Sequence, residues 1–179
     1  MKVLIVVDMQ NDFIDGSLGT KEAQAIVPNV KKKIEAYKKL VDGCIVFTQD
    51  THYNNYLLTN EGKNLPVEHC IYCTNGWEIY DDLVGFACKD FDNTVLLSKT
   101  TFGHLDWKFP IWEGKTIERI ELVGLCTDIC VVSNALILKA TYPEIDIVVD
   151  ASCCAGVTPE SHKAALTTMK MCQINVIGE

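Results

Sequence analysis

The sequence predicts an α/β fold: one Rossmann-like three-layer sandwich over residues 1–179, with helices on both faces of the sheet. The sheet is expected to be mainly parallel and six-stranded, in the order 3-2-1-4-5-6. Two observations support this prediction. Short runs rich in Val, Ile and Leu recur along the chain, and such runs are typical of parallel strands buried on both faces. Helical patterns lie between several of them, which predicts right-handed crossovers.

The predicted strands follow these apolar runs in order. They are KVLIVVD (2–8), GCIVFTQD (43–50), NTVLLSK (93–99), RIELVGL (119–125), EIDIVVDA (144–151) and INVIG (174–178). Residues 51–92 form a long irregular segment between the second and third strands. Loops of this length inside a compact domain are commonly functional.

Three helices are predicted between the strands. In 21–41 an apolar face opposes a Lys-rich face, and its members are Ile26, Val30, Ile34, Tyr37 and Val41. Pro28 lies inside this window, so the regular helix is expected to begin there. A second helix spans 128–140. A third spans 159–172, because Thr158 can cap it and Pro159 suits its first position.

Composition excludes some classes of partner. The formal charge of −8 argues against binding to nucleic acid, which needs a Lys/Arg-rich surface, and against an anionic membrane. No apolar run approaches the ~18–20 residues of a spanning helix. Nine cysteines cannot all pair within one chain, and Cys44, Cys88 and Cys172 lie in apolar runs. We therefore expect reduced thiols and a cytoplasmic protein.

Reactive side chains follow several predicted strands. Asp8 ends the first strand, Asp50 and His52 follow the second, Lys99 ends the third, and Cys130 follows the fourth. Ligands of open α/β sheets bind at the carboxyl ends of the strands, where the strand order reverses. With the order above, the reversal lies between strands one and four. Asp8 and Cys130 are therefore expected to face each other.

Cys130 is expected to be a nucleophile. Backbone N–H groups and the dipole at a helix N-terminus favour a thiolate over a thiol, and the ammonium of Lys99 would add to this effect. Asp8 could accept the proton, which gives a site for attack on a carbonyl carbon. Taken singly, each residue is better explained without catalysis: Cys130 as a buried core thiol, Asp8 as a strand-end cap and Lys99 as a surface charge. Their common position at one rim favours catalysis.

The segment after the second strand offers ligands for a metal. Asp50 and His52 are two positions apart on an extended chain and so share a face, and Glu61 and His69 follow. Carboxylate with imidazole suits zinc, manganese or iron better than calcium. These residues could instead be loop hydrogen-bonding groups and a solvated charge.

A structural zinc site is a rival interpretation of the same segment. His69, Cys70 and Cys73 could bind zinc together with His52. The second C-x-x-C or H-x-x-x-H pair of a zinc finger is missing, which makes this alternative weaker.

Three motifs identify a family resemblance. With VVDMQNDF at the start, SKTTFG in the middle and GLCTDICV before the second helix, the chain resembles the isochorismatase-like cysteine hydrolases, and their nicotinamidase branch most closely. The resemblance implies a catalytic triad of Asp8, Lys99 and Cys130. It also implies a cis peptide between Leu125 and Cys126, which would direct the amides of Cys126 and Cys130 to one point as an oxyanion hole.

The resemblance also implies a divalent metal, zinc or else manganese or iron. Asp50, His52, Glu61 and His69 stand at positions that match the ligands of nicotinamidases, where the metal holds the pyridine nitrogen and ordered water.

Substrate-binding residues follow from the same resemblance. Phe13 of the NDF motif would pack against the substrate ring. Leu65 stands near the position where relatives often have an aromatic residue, and Trp77, Phe102 or Trp107 could replace that ring.

The expected function is therefore a cysteine amidohydrolase that converts nicotinamide and water to nicotinate and ammonia through a thioester. One alternative is a family member acting on another small amide or a carbamoyl compound. Another is a non-catalytic α/β module that binds a ligand at the same rim. The expected partner is a small amide, and the apolar faces of the helices 128–140 and 159–172 could support a homo-oligomer.

Overall fold

The computed structural model describes residues 1–87, 93–108, 112 and 114–179. Its strands form a parallel sheet in the order β3-β2-β1-β4-β5-β6, which confirms the predicted order. The strands are β1 (Lys2–Val7), β2 (Gly43–Asp50), β3 (Thr94–Lys99), β4 (Arg119–Leu125), β5 (Asp146–Ala155) and β6 (Asn175–Ile177).

Helices cover both faces of the sheet. They are α1 (Asn11–Ile14), α2 (Lys21–Lys38), α3 (Asn60–Asn64), α4 (Asp81–Ala87), α5 (Val132–Thr141) and α6 (Pro159–Met171). Successive side chains of β1 point to opposite faces, as the pleat of a strand requires. Leu4 and Val6 pack in the apolar cluster that contains the buried face of α2. Val3 and Ile5 pack in the cluster that contains α5 and α6.

The first long helix begins earlier than predicted. The expectation that it starts at Pro28 is wrong, because α2 begins at Lys21, where the side chain of Thr20 accepts a hydrogen bond from the N–H of Ala23. A capped start and a buried apolar face stabilise this first part of the helix. Pro28 lies on the exposed side, where its ring displaces no core side chain.

The same helix also ends earlier than predicted, at Lys38. Val41 therefore falls in the turn before β2 and is fully exposed, so its predicted place on the buried face is wrong. The other four predicted members of that face are buried.

The second and third predicted helices are present. The second starts with a π turn (Thr127–Val131) that continues into α5, and the third is α6, capped by Thr158. Strand β5 runs four residues beyond its predicted end, to Ala155. Its pairing with β4 shifts between Leu122 and Gly124, so β5 carries a bulge there.

The cysteines of the described residues are unpaired. Cys44 is buried, as its apolar run predicts, whereas Cys172 is exposed at the end of α6, and Cys88 lies outside the described residues. Within the described residues, every helix is too short or too polar to cross a membrane.

We expect Pro28→Ala to stabilise the protein. Proline in a helix interior lacks the N–H that would bond the carbonyl four residues before it, at a cost of about 3 kcal/mol against alanine. Loss of the proline's restriction on the unfolded chain offsets up to about 1 kcal/mol of this. The free energy of unfolding in urea should therefore rise by about 1–2 kcal/mol. Lys32→Ala on the same exposed side is the control, and an equal change in both variants would contradict the explanation.

Candidate active site and metal centre

Asp8 is fixed at the carboxyl end of β1. Its φ of 47° lies in the left-handed region, which Asp adopts more readily than most residues. Thr48 of the neighbouring strand donates a hydrogen bond of 2.6 Å to Oδ1 of Asp8 and accepts one of 3.1 Å from its N–H. The fully buried carboxylate is therefore aimed by two bonds to one side chain.

Lys99, the last residue of β3, contacts three reactive groups. Its Nζ lies 2.7 Å from Oδ2 of Asp8, 3.5 Å from Oδ1 of Asp50 and 3.6 Å from Sγ of Cys130. The side chain of Lys99 is buried, so these contacts are little screened by water. The structure thus brings together Asp8, Lys99 and Cys130, which the sequence placed at separate strand ends.

Cys130 lies in the π turn after β4, and the approach to this turn requires a glycine. A Cβ on Gly124 would lie 2.1 Å from the carbonyl oxygen of Val7, and its φ of 114° is one that other residues rarely adopt. The peptide between Leu125 and Cys126 is cis, as the resemblance implies.

Electrostatics around the thiol differ from the expectation. Burial raises the pKa of Cys130 well above its usual value, and the charge of Asp8 and a hydrogen bond with it add to this, while Lys99 opposes it. Burial by itself would lower the pKa of Lys99, but Asp8, Cys130 and Asp50 together raise it. Burial of the sulfur therefore opposes the thiolate that was expected, whereas the ammonium of Lys99 favours it.

Four potential metal ligands lie at one side of the same site. Asp50, His52, Glu61 and His69 each offer one ligand atom, and these atoms all lie within 4.8 Å of one another. Nε2 of His52 is 3.1 Å from Asp50 and 3.5 Å from Glu61, and Nε2 of His69 is 3.8 Å from each carboxylate. The structure thus brings all four predicted ligands together.

The donor set fits a divalent ion. Ligands about 2.0–2.2 Å from zinc at tetrahedral angles are about 3.3–3.6 Å apart, close to the spacings above. Nδ1 of His69 contacts the carbonyl of Val67 at 2.8 Å, which leaves Nε2 facing the cluster. Burial would lower the pKa of His52, but Asp50 and Glu61 raise it to about 9. Two carboxylates therefore attract a positive charge to this position.

Glu61 reaches the cluster because its short helix packs closely on the preceding turn. Thr59 caps α3 by accepting a hydrogen bond from the N–H of Gly62. A Cβ on Gly62 would lie 2.1 Å from the carbonyl oxygen of Tyr56, so glycine permits this packing. The buried ring of Tyr56 lies 4.6 Å from that of His52 and 5.0 Å from that of His69, measured between centroids.

The long segment after β2 is tied to the end of β1 by Gln10. Its Oε1 accepts a hydrogen bond from the N–H of Asp50, and its Nε2 donates to the carbonyl oxygens of Asp50 and Trp77. Asp12 accepts a further bond from the N–H of Cys70. These bonds fix the backbone on both sides of the potential metal ligands.

A cavity of about 1040 Å³ opens above these groups, and Cys126, Cys130 and all four potential ligands line it. Phe13, Leu65 and Phe102 line it as well. Trp77 does not; its Nε1 donates to Oγ1 of Thr51. Trp107 is buried in the core beneath α5. Among the proposed replacement aromatics, only Phe102 is placed to meet a substrate.

The rival zinc site is not formed in the described part of the chain. The sulfur of Cys70 faces the carbonyl of Gly76, and Cys73 is exposed. Neither belongs to the cluster of potential ligands.

Sequence reasoning missed the residues that position the site. Three of them are uncharged: Thr48, Gln10 and Tyr56. Thr48 and Gln10 bond partners 40 residues away in the chain, and Tyr56 contacts two histidines of its own loop. Asn134 is a fourth: its side chain binds the carbonyls of Cys130 and Phe102 and the N–H of His104. For Gln10, the sequence offered one sign of a positioning role: it is a polar residue in the VVDMQNDF motif, directly after the first buried strand.

A parallel sheet of this order, with cysteine, aspartate and lysine meeting at its reversal, is the architecture of an isochorismatase-like hydrolase. The isochorismatase domain family matches residues 2–178. The chain therefore belongs to that family.

Individual relatives are similar over almost their whole lengths. A nicotinamidase from Schizosaccharomyces pombe is 26% identical, covering 98% of this chain and 92% of the relative. A probable inactive nicotinamidase from Arabidopsis thaliana is 28% identical, covering 93% and 87%. Among solved structures, nicotinamidase/pyrazinamidase from Bacillus subtilis has a TM-score of 0.85 at 26% identity, covering 98% of both chains. Pyrazinamidase from Pyrococcus horikoshii in complex with zinc has a TM-score of 0.79 at 28% identity, covering 99% of both.

We expect Gln10→Glu to weaken metal binding. A carboxylate at this position cannot donate to the carbonyls of Asp50 and Trp77, so the backbone of a ligand loses its support. Loss of an outer partner of this kind typically costs 10–100-fold in metal affinity. Competition with a chromogenic chelator measures the zinc affinity. Gln24→Glu, exposed on α2, is the control, and equal affinities in the two variants would argue against a positioning role for Gln10.

Proposed function

We propose that this protein is a nicotinamidase, a cysteine amidohydrolase that converts nicotinamide and water to nicotinate and ammonia. The observation that carries the proposal is the meeting of Asp8, Lys99 and Cys130 beside a four-residue metal cluster in one cavity. The chain is a hydrolase of an amide carbon–nitrogen bond, as its family and its nicotinamidase relatives support. The triad, the metal and nicotinamide itself are the proposed refinements.

The first proposed step is a proton transfer from Cys130 to Asp8. Because both groups are buried beside one ammonium, this transfer moves charge without bringing new charge into the site, and the thiolate that forms is paired with Lys99. The thiolate then attacks the amide carbon. The N–H groups of Cys126 and Cys130 would stabilise the oxyanion, and losing one such donor typically costs ~10²–10³ in rate.

Breakdown of the tetrahedral intermediate uses the same proton. Asp8, now protonated, gives it to the departing nitrogen, ammonia leaves, and the acyl group remains on Cys130 as a thioester. Asp8 next accepts a proton from water as the water attacks the thioester. Nicotinate is released, and the proton on Asp8 returns to the sulfur.

Asp50, His52, Glu61 and His69 are the residues that would hold a divalent ion, zinc or else manganese or iron. When bound, the ion would supply a Lewis-acid position for the pyridine nitrogen and ordered water. Phe13, whose ring lies 5.5 Å from that of His69, would then pack against the substrate ring, and Leu65 would contact it from the rim.

Two other functions remain as alternatives. A different small amide or carbamoyl compound would use the same triad and is favoured by Leu65, which departs from the aromatic residue of many relatives. A non-catalytic ligand-binding module is the other, and the Arabidopsis relative described as probably inactive gives it a precedent. Ammonia release across a panel of small amides, with elemental analysis of the purified protein, separates these possibilities.

The remaining proposals concern the setting of the enzyme. We propose that residues 1–179 act as one domain in the reducing cytoplasm, which agrees with the unpaired thiols of the described cysteines. Assembly into a homo-oligomer stays a prediction that light scattering would test.

Cys130→Ala should abolish ammonia release from nicotinamide, because no acyl-enzyme can form without the sulfur. Cys126→Ala should retain substantial activity, since only its backbone is assigned a role. Steady-state ammonia assays and circular dichroism, which checks the fold, measure both. Comparable turnover by Cys130→Ala and the wild type would refute the proposed nucleophile.

Metal removal should abolish turnover as well. Dialysis against a strong chelator is expected to lower kcat/KM by at least about 100-fold, in line with the loss of electrostatic stabilisation at a site of this kind. Adding zinc, manganese or iron should restore it, and His52→Ala should not be restored. His104→Ala, outside the cluster, serves as the control. Full activity of metal-free protein, verified by elemental analysis, would remove the ion from the proposal.

A further inference from the structure

Building on the proposed function, we propose that the preferred substrate is larger than nicotinamide. It would be a neutral primary carboxamide whose acyl group carries an apolar extension, and this extension would lie against Leu65, Phe102 and Val157. These three side chains are named the apolar rim.

The size of the cavity is the first reason. Its volume is about 1040 Å³, and cavities of roughly 300–1,000 Å³ hold drug-sized ligands. Nicotinamide is one ring with one carboxamide. Held beside Cys130 and the metal cluster, it would touch the apolar rim at Leu65 and would leave much of this volume unfilled. The remaining volume extends toward the apolar rim.

The apolar rim itself is the second reason. Its side chains come from three separate loops and remain 39% (Leu65), 45% (Phe102) and 55% (Val157) exposed. All three line the cavity. Apolar surface that converges on a cavity from different loops is a binding surface for apolar parts of a ligand.

Polar side chains hold the backbone of each rim residue in place. The carbonyl of Leu65 accepts a hydrogen bond of 2.9 Å from Tyr56, and that of Phe102 accepts one of 3.3 Å from Asn134. The N–H of Val157 donates to both carboxylate oxygens of Asp128, at 3.1 and 3.2 Å. The apolar rim is therefore arranged before a ligand arrives, which lowers the entropic cost of binding.

Charge in the cavity selects a neutral extension. Among the described residues that line it, none is lysine or arginine, and the charged side chains are those of the metal cluster. Lys99 lies beneath the floor, paired with Asp8. An anionic extension would have no cationic partner at the apolar rim, so the free-energy cost of removing it from water would not be offset.

The position of Asp8 places the extension on the acyl side. Asp8 must protonate the leaving nitrogen, but it is fully buried under Thr48 and Lys99 and does not line the cavity. A substituent on the leaving nitrogen would therefore point toward the enclosed side of the site, where Asp8 lies. The open direction is left for the acyl group.

A matched series of carboxamides tests the proposal. The series contains nicotinamide and nicotinamides with a butyl, phenyl or carboxyl group at each free ring carbon. Ammonia release gives kcat/KM for the wild type, and calorimetry gives Kd for Cys130→Ala, which cannot turn over. A fully buried methylene contributes about fourfold in affinity. For a partly exposed butyl chain we expect at least a tenfold gain in both measurements at the best position, and no gain for carboxyl.

Rim variants test where the gain arises. Phe102→Ser and Val157→Ser should each reduce the ratio of kcat/KM for the butyl compound to that for nicotinamide by threefold or more. Leu40→Ser is the matched control, because Leu40 is 36% exposed and lies in the turn before β2, at the amino ends of the strands and away from the cavity. This control should keep the ratio.

The outcomes separate the two proposals. If nicotinamide is hydrolysed as well as or better than every butyl and phenyl compound, the larger substrate is wrong and the proposed function stands. If no carboxamide in the series is hydrolysed and none binds Cys130→Ala, both are wrong. If the butyl compound is preferred but the rim variants and Leu40→Ser give the same ratio, the assignment to the apolar rim is wrong.

Discussion

The contact of one buried ammonium with two carboxylates and a thiol organises this protein. Lys99 reaches Asp8, Asp50 and Cys130 from the end of β3, two strands away from β1. A buried lysine without such partners would lose its proton, because burial disfavours the charged form. The parallel sheet supplies these partners because the carboxyl ends of β1, β2 and β3 lie side by side. The order of the strands is therefore a condition for the electrostatics of the site.

Around this contact, most of the site stands on irregular chain that side chains hold in place. Gln10 and Asp12 secure the segment with the potential metal ligands, and Asn134 secures the loop after β3 to the turn that bears Cys130. Loops tolerate changes in sequence and often carry functional residues, yet a catalytic site needs side chains held in a defined geometry. In this chain the precision comes from buried polar groups that bond to backbone atoms. Each such group satisfies atoms that would otherwise be buried without partners.

The sequence predicted what depends on local pattern. The apolar runs located the strands, and their carboxyl ends located Asp8, Lys99 and Cys130 near one another, because parallel strands end at a common edge. The potential ligands Asp50 and His52 were placed at this end of the sheet for the same reason. Pro28 misled the prediction because local propensity favours a boundary there, while the buried face of α2 favours continuity. Tertiary packing decided between them.

Other features could not be read from the sequence because they depend on distant contacts. The raised pKa of Cys130 arises from enclosure by several elements, which a residue pattern does not encode. Tyr56 contacts His52 and His69 only because the folded segment after β2 brings the three rings together. Glu61 needed both Gly62 and the short helix α3 to reach the ligands.

The two oxygens of Asp50 face different neighbours, and this has a thermodynamic consequence. Oδ1 faces Lys99 and Oδ2 faces the two histidines. A cation bound at Oδ2 would draw electron density away from Oδ1. The electrostatic attraction between Asp50 and the ammonium of Lys99 would therefore be weaker when the cation is bound. Because Lys99 also contacts Cys130, binding of a cation at this cluster and ionisation of the sulfur would be linked equilibria, each altering the other by the same free energy. A relative that functions without the ion would therefore need a different arrangement of charges around the lysine at this position.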